Sequence, residues 1–132
     1  KHIVDAIGSS IEPVVKSFLK CDPEEIDLWA IHPGGVRIVD AVQESLSLSD
    51  VAVRDSLNVL YQYGNMSSPT ILFILNEMLL KIRDDSSGIS RKIFTCAFGP
   101  GLNIEMLKLS SSLQEVTSKN RKSINELSSS VR

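Results

Sequence analysis

The chain has 132 residues, of which 42% are apolar and 23% charged, and a formal net charge of −2. That is one domain's worth of chain with apolar content enough for a core, and it excludes wholesale disorder. A pI near 5.7 excludes nucleic-acid binding through bulk charge, and 5% aromatics argue against stacking platforms for single strands.

The first 20 residues place Ile3, Val4, Ile7, Ile11, Val14, Val15, Phe18 and Leu19 at helical spacings. Pro13 lacks an N–H and crowds the preceding turn. The expectation is therefore a short helix ending near Gly8, and a second starting around Ser10 to Glu12. Cys21-Asp22-Pro23-Glu24-Glu25 is a polar turn. Leu28-Trp29-Ala30-Ile31 reads as a buried strand, and His32-Pro33-Gly34-Gly35 punctuates it.

Val36, Val39, Val42 and Leu46 mark a helix. Val53, Leu57 and Leu60 mark another that stops at Tyr63-Gly64. Ser67 or Ser68 then caps a helix over residues 69–83, with Pro69 in its first turn. Its apolar residues, from Ile71 to Ile82, lie on nearly every face, which predicts a helix in the middle of the layers. Ile93 to Phe98 and Leu102 to Leu109 read as antiparallel strands joined by Gly99-Pro100-Gly101.

From Ser110 the character changes, with eight serines in the last 23 residues. Lys119, Arg121, Lys122 and Arg132 against Glu115 and Glu126 give this tail +2 and leave −4 on the rest. Residues 1–109 are expected to form the folded segment and 110–132 a polar tail, faintly helical or disordered. No apolar run is long enough to span a membrane and no signal peptide opens the chain. A first residue other than Met suggests a processed product or a trimmed fragment.

Two cysteines, Cys21 and Cys96, show neither CxxC spacing nor a histidine cluster, so no metal site is expected and a reducing compartment is. Three segments sit where α/β folds build sites, at strand ends or helix starts. His32 stands at the carboxyl end of a strand, with Gly34 and Gly35 open to close approach and a helix N-terminus behind them. The plainer alternative is a histidine that caps a turn. Asn65 precedes the most apolar helix, either as an uncharged donor or as a cap. Phe98-Gly99-Pro100-Gly101 alone is a plain hairpin. Taken together, a histidine and an asparagine converging on one thioester carbonyl make an oxyanion hole.

His32-Pro33-Gly34-Gly35, Tyr63-Gly64-Asn65-Met66-Ser67-Ser68 and Phe98-Gly99-Pro100-Gly101, in this order and spacing, resemble the C-terminal part of type III polyketide synthases, the chalcone and stilbene synthase family. The resemblance runs from about residue 2 to about residue 109. It implies the C-terminal portion of a thiolase-like layered α/β fold, with a buried central helix and a mixed sheet. It also implies a Cys–His–Asn triad in which His32 and Asn65 assist decarboxylation of malonyl-CoA and bind the thioester oxygen. Gly34 and Gly35 match backbone beside the CoA tunnel; Ser67, Phe98, Gly99 and Pro100 match segments that shape the pocket. CoA thioesters, acyl-CoA and malonyl-CoA, are the implied substrates, with no metal or redox cofactor.

Two departures stand out. Ala97 occupies a position where the family usually has Gly. The family's nucleophilic Cys lies in an N-terminal half that this chain lacks, and neither Cys21 nor Cys96 matches it. The expectations are therefore an acyltransferase segment inactive alone, a missing N-terminal half as partner, a cytoplasmic homo-oligomer, and no nucleic-acid or membrane partner. The alternatives are a ketoacyl synthase III-like condensing enzyme, or a non-catalytic α/β interaction module.

Overall fold

The computed structural model describes residues 2–101 and 103–111. The expected tail over 112–132 and the expected strand start at Leu102 lie outside the described residues.

The first element is one helix, α1 (His2–Leu19), with Pro13 inside it. The expected break near Gly8 does not occur. Ile7, Ile11, Val15 and Leu19 form a single buried stripe at 0–3% exposure. Burying an aliphatic side chain stabilises by about 1.5–3 kcal/mol, so four of them outweigh the ~3 kcal/mol that an interior proline costs. Pro13 is itself exposed, which leaves the carbonyl it deprives of a partner beside solvent. A 3₁₀ turn (Pro23–Glu25) then leads into β1 (Leu28–Ile31), the strand expected there.

Three more helices follow: α2 (Val36–Leu46), α3 (Asp50–Tyr63) and α4 (Pro69–Asp84). The α3 N-terminus is capped by Ser49, whose hydroxyl accepts from the Ala52 N–H at 3.3 Å. Its C-terminus is Gly64 at φ +72°, a conformation that favours glycine. Strands β2 (Arg91–Gly99) and β3 (Asn103–Ser111) follow, with Pro100-Gly101 in the turn between them. β3 runs two residues past Leu109, into the serines expected to begin the tail. The Arg91 N–H donates to Ser111 Oγ at 3.0 Å and holds that end.

The sheet order is β1-β2-β3, with β1 parallel to β2 and β2 antiparallel to β3. This is the mixed α/β sheet the sequence leads one to expect. Side chains alternate across it. Trp29, Ile31, Phe94 and Cys96 pack with α1 and α2; Ala30 and Ile93 pack with Ile74, Met78 and Ile82 of α4. Helix α3 runs along the edge of β1 that pairs with no strand among the described residues, and it packs against both α2 and α4.

Helix α4 is an outer helix among the described residues, where the sequence predicts a central one. Ile74, Met78 and Ile82 are buried at a spacing of four, whereas Leu72, Phe73, Leu79 and Leu80 are exposed. No helix among the described residues is long and apolar enough to cross a membrane.

Candidate functional site

The site begins where β1 ends. Ile31 pairs with Cys96 on β2, and the His32 N–H donates to the Cys96 carbonyl at 2.8 Å. One more rung of the ladder thus holds the histidine's backbone. The chain then turns sharply: the Gly34 N–H donates to the His32 carbonyl at 3.0 Å, and Pro33 is buried. Gly35 precedes α2 in extended backbone that any residue adopts, so its conformation does not call for glycine. A Cβ there would meet nothing within 4 Å. What its hydrogen leaves is open space beside the first turn of α2, where backbone N–H groups have no side-chain cap.

His32 is half-buried, and this burial lowers its pKa below the ordinary imidazole value. Near neutral pH the ring is therefore uncharged, with one nitrogen a donor and the other an acceptor.

The second segment lies between α3 and α4. Asn65 is exposed, and its carboxamide is held at both ends. Oδ1 accepts from the Ser67 N–H at 2.8 Å, and Nδ2 donates to the Gly34 carbonyl at 3.4 Å. The second bond ties the Tyr63–Ser68 loop to the His32–Gly35 loop. Ser67 reaches its place through a left-handed conformation, φ +63°. The expectation that Ser67 or Ser68 caps α4 through its side chain does not hold, because no side-chain cap bond is made. The loop is fastened instead by Thr70, whose Oγ1 accepts from the Met66 N–H at 2.9 Å.

The third segment is the far end of β2. β2 runs parallel to β1 and continues three residues past Cys96, so Phe98, Gly99 and Pro100 lie at the same end of the sheet as His32. Phe98 is half-buried against the core formed with α1 and α2. All three sequence-predicted segments therefore gather at one end of the sheet.

Neither cysteine belongs to this end as a nucleophile. Cys96 is buried in the core, and burial pushes its thiol up to about 12. Cys21 follows α1 and has Lys108 Nζ 3.8 Å from its sulfur. Lys108 pairs with Phe94, four residues along β2 from Phe98, or roughly 13 Å. A cleft of about 710 Å³ also lies elsewhere. It opens at the amino end of β1, between Lys16, Asp27, Trp29, Ser47, Val51 and Asp55, and none of the predicted site residues lines it. Among the described residues no cluster of three or more His, Cys, Asp or Glu side chains is placed to hold a metal ion.

Two hydroxyls beneath the loops escaped the sequence reading. One is Thr70; the other is Ser56 on α3, whose Oγ accepts from the Ile31 N–H at 3.0 Å. A serine within a helix and a threonine beside Pro69 carry no periodic signal. Only Thr70, beside the turn before α4, sits where a capping role could be read; mid-helix Ser56 carries no such signal.

Residues 1–113 match the family described as chalcone and stilbene synthases, C-terminal domain. The chain is 37% identical over 102 residues to the alpha-pyrone synthesis polyketide synthase-like Pks18 of Mycobacterium tuberculosis, and equally to the protein of that name from Mycobacterium bovis. These alignments cover 75% of this chain and 25% of each relative, so the chain spans about a quarter of the length of the curated relatives it matches. The crystal structure of PKS-I from the brown alga Ectocarpus siliculosus superposes with a TM-score of 0.72 at 28% identity, covering 86% of this chain and 31% of that one.

Proposed function

Because the chain belongs to the chalcone and stilbene synthase family, matching its C-terminal domain, we propose that it is the part of a type III polyketide synthase that drives decarboxylative condensation. The substrates are CoA thioesters: an acyl-CoA starter and malonyl-CoA. The chain acts within a longer cytoplasmic polypeptide, or beside one, that supplies the nucleophilic cysteine, and the assembly is a homo-oligomer. The observation that carries this reading is the Asn65 Nδ2 to Gly34 carbonyl contact, which joins the two motif loops at one end of the sheet.

In this reading the malonyl thioester carbonyl lies between the His32 ring and the Asn65 amide. Carbon dioxide leaves, and the electron pair of the broken C–C bond passes into the thioester as an enolate. Two uncharged donors stabilise that oxygen as its charge grows. A neutral His32 suits this role, because it donates without a proton having to be placed first. The enolate carbon then attacks an acyl group held on cysteine, forming a C–C bond and releasing the thiolate. Gly34 and Gly35 leave room for the CoA arm beside α2, while Ser67, Phe98, Gly99 and Pro100 bound the acyl side. The chemistry calls for no metal or redox cofactor.

Release of carbon dioxide from malonyl-CoA by the longer polypeptide tests this. His32→Ala and Asn65→Ala are each expected to lower the decarboxylation rate by about 10²–10³-fold, the usual effect of losing one oxyanion donor. Rates within a factor of two of the parent would sink the assignment. The 132-residue chain by itself is expected to condense nothing above the buffer rate.

A further inference from the structure

We propose that Ser56 and Thr70 are positioning residues of this site, each fixing the backbone beside one of its two donors; the proposal rests on the reading of His32 and Asn65 given above. Both side chains are fully buried, at 0% exposure. Each spends its hydroxyl oxygen on a backbone N–H one residue from a donor: Ile31, just before His32, and Met66, just after Asn65.

Regular structure serves neither N–H. Along β1 the amides alternate in direction. The His32 N–H points to β2, and the Ile31 N–H therefore points off the strand's free edge. Ser56 stands at that edge like a fragment of a missing strand. Its Oγ accepts from Ile31 at 3.0 Å and returns its own proton toward the Trp29 carbonyl at 3.5 Å. Met66 lies in the loop before α4. Thr70 grips that loop twice, accepting the Met66 N–H on Oγ1 and donating its own N–H to the Ser67 carbonyl at 3.1 Å. This grip holds Ser67 in its left-handed conformation, from which the Ser67 N–H engages Asn65 Oδ1. An amide's oxygen and nitrogen sit at opposite corners of one plane. Fixing Oδ1 therefore aims Nδ2 at the neighbouring loop, where the Gly34 carbonyl receives it.

A buried hydroxyl that merely satisfies a buried N–H would affect stability alone. A positioning residue moves the donor. Spectra of the ¹⁵N-labelled 132-residue chain separate the two. Thr70→Val keeps the shape and removes the acceptor; Thr70→Ser keeps the acceptor and loses a methyl. The expected result is that Thr70→Val shifts the Asn65 side-chain amide signals and Thr70→Ser leaves them at the parent position. Ser56→Ala is expected to move the midpoint of the His32 ring titration without moving the Asn65 signals. Equal shifts from Thr70→Val and Thr70→Ser, or none from Thr70→Val, would overturn the proposal. If either variant fails to fold, the parent decides: the Met66 and Ile31 amide protons must exchange at least about tenfold more slowly than the Asn65 backbone amide, as closed hydrogen bonds require. Loop-like exchange at both would refute it.

In the longer polypeptide, Thr70→Val is expected to lower kcat for malonyl-CoA decarboxylation by about 10–10²-fold, the scale of a misplaced group, with KM little changed. Thr70→Ser is expected to stay within about threefold of the parent rate, since it keeps the acceptor and with it the aim of Asn65. A Thr70→Val rate equal to the parent's, in an enzyme that His32→Ala disables, ends this proposal and spares the reading of the site. A parent that does not decarboxylate malonyl-CoA ends that reading, while the spectra still report whether Thr70 orients Asn65.

Discussion

One face of the sheet is closed. There α1 and α2 bring Ile7, Ile11, Val15, Val39 and Val42, all at 0% exposure, onto Trp29, Ile31 and Phe94. The outer side of α1 is mostly polar, with Glu12 and Lys16 paired across one turn at 2.7 Å and Val14 and Phe18 partly exposed. On the other face the apolar residues that α4 buries fully are Ile74, Met78 and Ile82; it is tied to α3 by the Lys81–Asp55 ion pair and turns Leu72, Phe73, Leu79 and Leu80 outward. The Phe73 ring leans on Tyr63, at the end of α3, with centroids 5.1 Å apart. Both helices are rich in apolar residues, so composition alone does not say which is finished. Helix α1 shows the more finished pattern: one stripe buried and the rest largely polar, with Val14 and Phe18 showing apolar surface. Helix α4 carries a second stripe that, apart from the Phe73 contact with Tyr63, stays exposed among the described residues.

The sharpest test of this contrast is a pair of truncations. Phe94 is fully buried, with Trp29 at 5.0 Å and Phe18 at 6.1 Å between ring centroids. Phe94→Ala is expected to cost about 3–5 kcal/mol, because the surrounding helices are packed from both sides and cannot collapse into the space. Met78→Ala on the open face is expected near the low end of the ordinary range, about 2 kcal/mol, since α4 has freedom to settle inward. Urea unfolding of both variants measures the difference. A Met78→Ala cost as large as that of Phe94→Ala would show that the two faces are equally closed.

The contrast also explains what was legible in the sequence. β1, the turn at His32–Gly35, the C-terminal end of α3 at Gly64 and the β2–β3 hairpin are dictated by local chemistry: a short apolar run, glycines and prolines at turns. They appear where their residues place them. The single α1 does not, because the cost of Pro13 is local and visible while the compensating burial of Ile7 to Leu19 depends on a partner elsewhere in the chain. The outward placement of half of α4 was hidden for the opposite reason. Apolar residues on every face blur the period that would reveal which stripe the fold uses. At the candidate site the motif loops were readable, but Ser56 and Thr70 were not. The Ser56 bond to Ile31 spans 25 residues, and no spacing rule reaches so far.

Substitutions on the bare stripe are expected to act on association and hardly at all on folding. Leu72 is 64% exposed and Leu79 52%. Changing either to Gln should move stability by no more than about 0.5 kcal/mol, as for surface positions generally. An exposed apolar stripe favours self-association or capture of another segment. Sedimentation velocity of the 132-residue chain is expected to show species larger than a monomer, and the Leu72→Gln, Leu79→Gln double variant to shift toward monomer. A parent chain that is monodisperse and monomeric would mean that the stripe is tolerated bare and that the comparison with α1 has been drawn too strongly.

The smallest effect expected is electrostatic and lies between the two faces, at His32. Burial lowers its pKa in the folded chain below the ordinary value of 6.5. As pH falls through 6.5 the unfolded chain takes up a proton on this imidazole before the folded chain does, and protonation then favours unfolding. The stability from keeping the ring neutral is fully present above pH 6.5. It declines as the pH drops toward the folded pKa and does not decline further below it. The difference in unfolding free energy between the parent and His32→Gln should therefore be flat above neutrality and narrow on acidification. Subtracting the variant removes the other titrating groups, including Asp85, whose bond to Arg91 holds its carboxyl at about 2 and whose contribution fades only at far lower pH. Urea midpoints taken at intervals from pH 8 to pH 5 give that difference directly. Parallel curves across the range would mean that His32 is as solvated in the folded chain as in the unfolded one, and that its ring is not kept neutral by the packing beneath the loop.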